Sequence, residues 1–66
     1  MTKFESVNQK NLFYWAEPNE LDNGETFCVF SQMKGFPATE AFPDWFKYEK
    51  DAEEIAKRLA NGENLF

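Results

Sequence analysis

Histidine is absent from this 66-residue sequence, cysteine occurs once, at Cys28, and serine only at Ser6 and Ser31. Each scarcity removes a class of chemistry. Without histidine there is no side chain whose ordinary pKa lies close to neutrality, so the usual general base is missing. One cysteine cannot close an intrachain disulfide, and with no histidine beside it there is no ligand set for structural zinc. A nucleophile and base pair has few members to draw on. Cys28 itself stands between Phe27 and Val29, where a thiol reads as a small buried hydrophobe rather than a nucleophile. The three glycines are scattered at positions 24, 35 and 62 and form no phosphate-cradling loop. The expectation is a protein that is not an enzyme and carries no cofactor.

Long hydrophobic runs are missing too. The longest, residues 12–16 and 27–30, fall far short of the roughly 20 residues that cross a bilayer. Met1-Thr2-Lys3 is followed by Phe4-Glu5-Ser6 instead of an apolar segment, so no secretory leader is expected, and a reducing cytoplasm suits a chain that needs no oxidation. The net charge of −5 disfavours direct binding to nucleic-acid phosphates or anionic lipid, which takes clustered lysine and arginine. Acidity then serves solubility, or attraction to a basic surface on a larger partner. At this length residues 1–66 make one small domain with a thin core, and twelve aromatics, eight of them phenylalanine, are what is available to fill it.

The main organising signal is in residues 44–60. At about 100° per residue, Trp45, Tyr48, Ala52, Ile55, Ala56 and Leu59 form one apolar stripe, with Asp44, Lys47, Lys50, Asp51, Glu53, Glu54, Lys57 and Arg58 opposite. The pattern predicts an amphipathic helix closed by Asn61-Gly62 and favoured by late cations and early anions. Glu53–Lys57 and Glu54–Arg58 would add pairs along its surface. A rival is a shorter helix from the capping box Asp51-Ala52-Glu53-Glu54, which would leave residues 45–48 as a strand. The stripe favours the longer form.

Ahead of the helix, residues 10–17 read as an aromatic strand ended by Pro18, and residues 25–33 as its return arm. Asp22-Asn23-Gly24 supplies the turn. Phe27, Val29, Ser31 and Met33 share one face of the second strand, the expected core face, while Thr26, Cys28, Phe30 and Gln32 share the other. Phe4 and Val7 suit a strand or a loose turn. Lys34-Gly35-Phe36-Pro37 is a turn, residues 38–42 suit one helical turn, and Pro43 suits the first position of the main helix. The expected fold is α+β, an antiparallel hairpin with two or three strands under one C-terminal amphipathic helix.

The excess charge is concentrated. Residues 11–33 carry Glu17, Glu20, Asp22 and Glu25 and no base. A calcium loop would match the oxygen density, but its spacing fails: with Gly24 as the central glycine, Leu21 and Phe30 would occupy ligand positions. The loop is left as a solvated tip or an anionic contact surface. Phe46 lies about a third of a turn off the apolar stripe, so it is either roofed by another segment or kept for a partner. Trp15 is equally ambiguous, because Phe13, Tyr14 and Trp15 cannot all face one side of a strand.

The expected partner-binding residues are therefore Glu17, Glu20, Asp22 and Glu25, with Trp15 or Phe46 as the desolvated anchor, and no catalytic or metal-binding residues. The expected function is that of a small acidic protein that binds and inhibits a larger one. Size and charge suit a phage or mobile-element product that occupies a basic nucleic-acid-binding surface of a host enzyme. The alternative is a self-associating accessory protein that buries its surplus aromatics in a homodimer.

Overall fold

The computed structural model describes residues 1–66, in the order β1 (Lys3–Glu5), β2 (Leu12–Pro18), a 3₁₀ turn at Glu20–Asp22, β3 (Phe27–Met33), β4 (Thr39–Glu40) and α1 (Glu49–Ala60). The four strands make one antiparallel sheet in sequence order, and the fold is α+β. The predicted hairpin is its centre: β2 and β3 pair along seven residues, from Leu12 with Met33 to Pro18 with Phe27. Both edges carry a further short strand, so the sheet has four strands and not two or three.

Alternation along the strands decides what the helix covers. Phe4, Tyr14, Ala16, Phe27, Val29 and Ala41 point to the α1 side. The core is Ala16 and Val29 against Ala52, Ala56 and Leu59, with Val29, Ala52 and Ala56 fully buried. Alanine at three of these five positions lets the helix axis approach the sheet closely, and the half-buried Phe4, Tyr14, Phe27, Phe42, Phe46 and Ile55 fill the margin. The expected core face of β3 is the one covered. No helix of the protein is long and apolar enough to cross a membrane.

The helix ends where the sequence says. Gly62 adopts φ +88°, its amide donates to the Leu59 carbonyl at 3.0 Å, and the Glu63 amide donates to that of Arg58 at 3.1 Å. These two bonds form the Schellman closure. The Val7 amide then donates to the Ala60 carbonyl at 2.8 Å, tying the helix end to the β1–β2 loop. Arg58 turns to Glu63, N to O 3.0 Å, as the only ion pair, so neither predicted pair along the helix surface forms.

The helix start differs from both readings. It begins at Glu49, after an extended Tyr48 that gives no side-chain cap. Trp45 and Tyr48 are 47 % and 54 % exposed and do not belong to the core stripe. The cause lies in β3. Residues 39–41 run antiparallel to it, Thr39 facing Ser31, Glu40 facing Phe30, and the Ala41 amide donating to the Val29 carbonyl at 2.8 Å. So the segment 38–42, expected as one helical turn, instead carries the strand β4 at Thr39–Glu40. Continued in register, the next hydrogen-bonding position, opposite Phe27, would fall to Pro43, which has no N–H to give. The chain bulges out through Pro43, Asp44 and Trp45 instead. Phe46 then makes the bridge, its amide and carbonyl bonding those of Phe27 at 2.9 and 2.7 Å. Pro43 is thus a strand breaker and not a helix starter.

Two outcomes follow for stability. Leu59→Ala should cost about 2–5 kcal/mol, whereas Tyr48→Ala should stay within about 0.5 kcal/mol; equal losses in denaturant titration would put Tyr48 back on the core face. Gly62→Ala should cost about 1–2 kcal/mol, since a β-carbon there meets the left-handed φ and the Asn8 amide together. An unchanged melting temperature would remove the Schellman closure from the account.

Candidate functional site

Between β2 and β3 the loop 19–26 is built on three side chains. Asn19, 3 % exposed, accepts from the Leu21 amide through Oδ1 at 3.0 Å and donates through Nδ2 to Thr26 Oγ1 at 3.2 Å. Asp22 accepts from the amides of Glu25 and Thr26 at 3.1 and 3.3 Å, and from the Thr26 hydroxyl. That hydroxyl bond, with the amides behind it, holds the Asp22 carboxyl below its ordinary value. Asn23 and Gly24 turn the chain at φ 60° and 81°. The polar side chains of the frame thus find their partners within the loop itself.

Asp22 is consequently spent on the loop, while Glu20 and Glu25 stay exposed. Between them Leu21 stands 84 % exposed, the most exposed large apolar residue of the chain. An apolar residue inside a run of turn formers is the sequence signal for it, and the charge pattern alone does not show it.

Away from the helix, the other sheet face carries a second arrangement. Register places Lys3, Trp15, Phe30 and Glu40 in one row across all four strands. Trp15 is only 4 % exposed: Lys3 Nζ sits 4.5 Å above its ring, Phe30 stacks beside it at 6.3 Å, and its Nε1 donates to Glu17 Oε1 at 2.7 Å. Glu40 likewise accepts from Trp45 Nε1 at 3.1 Å. A cleft of about 230 Å³ opens between Glu17, Glu20 and Glu40, with Pro18, Leu21, Cys28 and Phe30 in its walls. Nearer β1, a wider hollow of about 380 Å³ is bordered by Lys3, Phe13, Gln32 and Lys34. The open face is therefore mixed in charge: Lys3 and Glu5 stand together on β1, Lys34 follows β3, and Glu17, Glu20 and Glu40 line the cleft.

Of the six predicted residues, Glu17 and Glu20 meet at the acidic cleft, and Glu25 lies across the loop from them. Glu40 joins the cleft from β4, a contribution that required the strand where a helical turn was expected. Phe46 is elsewhere, half-buried against the core and stacked on Phe42 at 6.1 Å. Trp15 sits under Lys3 rather than at the surface. No three acidic or sulfur side chains converge closely enough to hold a metal ion. What the cleft offers is an anionic lining, Glu17, Glu20 and Glu40, beside the apolar surface of Pro18 and Phe30.

Cys28 lies under this cleft, 2 % exposed. Burial, with Glu40 beside it, pushes its thiol up to about 11. The native chain thus keeps a proton that the unfolded chain releases from 9.0 upward. This contribution to stability is complete below that value and is lost as pH rises through about 11. Cys28→Ala should flatten the fall in melting temperature across that window, and the native thiol should alkylate slowly at neutral pH. Rapid native labelling would contradict the burial.

No family model matches the chain, and no curated protein or solved structure is significantly similar to it.

Proposed function

We propose that the protein is a small acidic interaction protein that docks its β2–β3 tip onto a basic surface of a larger protein and blocks that surface. The observation that carries this reading is the loop 19–26: a hydrogen-bonded frame presents Glu20, Leu21 and Glu25 outward, in a stretch without any base. A frame already ordered loses little freedom on binding, so more of each contact is realised as affinity. The carboxylates meet lysine and arginine that otherwise face phosphates, which speeds encounter and selects a basic partner. Leu21 supplies the desolvated anchor that carboxylates alone do not. Glu17 and Glu40 extend the anionic surface into the cleft and receive a single cationic side chain there. Occupation of a nucleic-acid groove on a host enzyme by a phage or mobile-element protein is the setting that this size and charge suit.

Capture from a bacterial lysate, followed by mass spectrometry, identifies the partner, and competition with the partner's nucleic acid then decides the mode. Glu20→Lys with Glu25→Lys should slow association and reverse its salt dependence, while Leu21→Ala should mainly raise the dissociation rate, by about tenfold for a loss near 1.4 kcal/mol. Partner and nucleic acid binding together without interference would overturn occlusion.

A further inference from the structure

We draw no further inference here: the strongest candidate, the hollow on the open sheet face bordered by Lys3, Phe13, Gln32 and Lys34, is rimmed by exposed lysines that share the face with Glu5, and nothing in the structure shows what covers it.

Discussion

Alanine against alanine and valine, at Ala16, Ala52, Ala56 and Val29, sets how near the helix comes to the sheet, and most other features answer to that distance. So small a chain has material for one helix only, so one sheet face is covered and the other must finish itself. The core face does so with small residues at the centre and phenylalanines around them. The open face uses charged side chains laid over aromatics: Lys3 on Trp15, Glu17 on the indole N–H, Glu40 on that of Trp45. The aromatics of the strands are thus divided between two unlike faces, only one of them a core.

That division assigns the carboxylates different work. Asp22 is consumed by the loop it stabilises, Glu17 orients an indole, and Glu20 and Glu25 remain available. Negative charge counted along the sequence treats these four as equivalent. Hydrogen bonding does not. The same distinction moves the anchor of the proposed docking surface from the buried Trp15 and the packed Phe46 to Leu21, which is held out by a frame that has satisfied its own polar groups.

Much of the fold was legible locally. The β2–β3 hairpin, its turn, the covered face of β3 and the stop at Gly62 follow from alternation, turn residues and capping, all short-range properties of the chain. The acidic concentration at the tip was legible for the same reason. Tertiary structure decided the rest. Trp45 and Tyr48 match a helical stripe, yet the open hydrogen-bonding edge of β3 recruits residues 39–46, and Pro43 forces the bulge that postpones the helix to Glu49. Periodicity sees side chains and not unpaired backbone groups on a distant strand. The row from Lys3 to Glu40 is likewise invisible in the sequence, because its members are 12, 15 and 10 positions apart and only strand register aligns them.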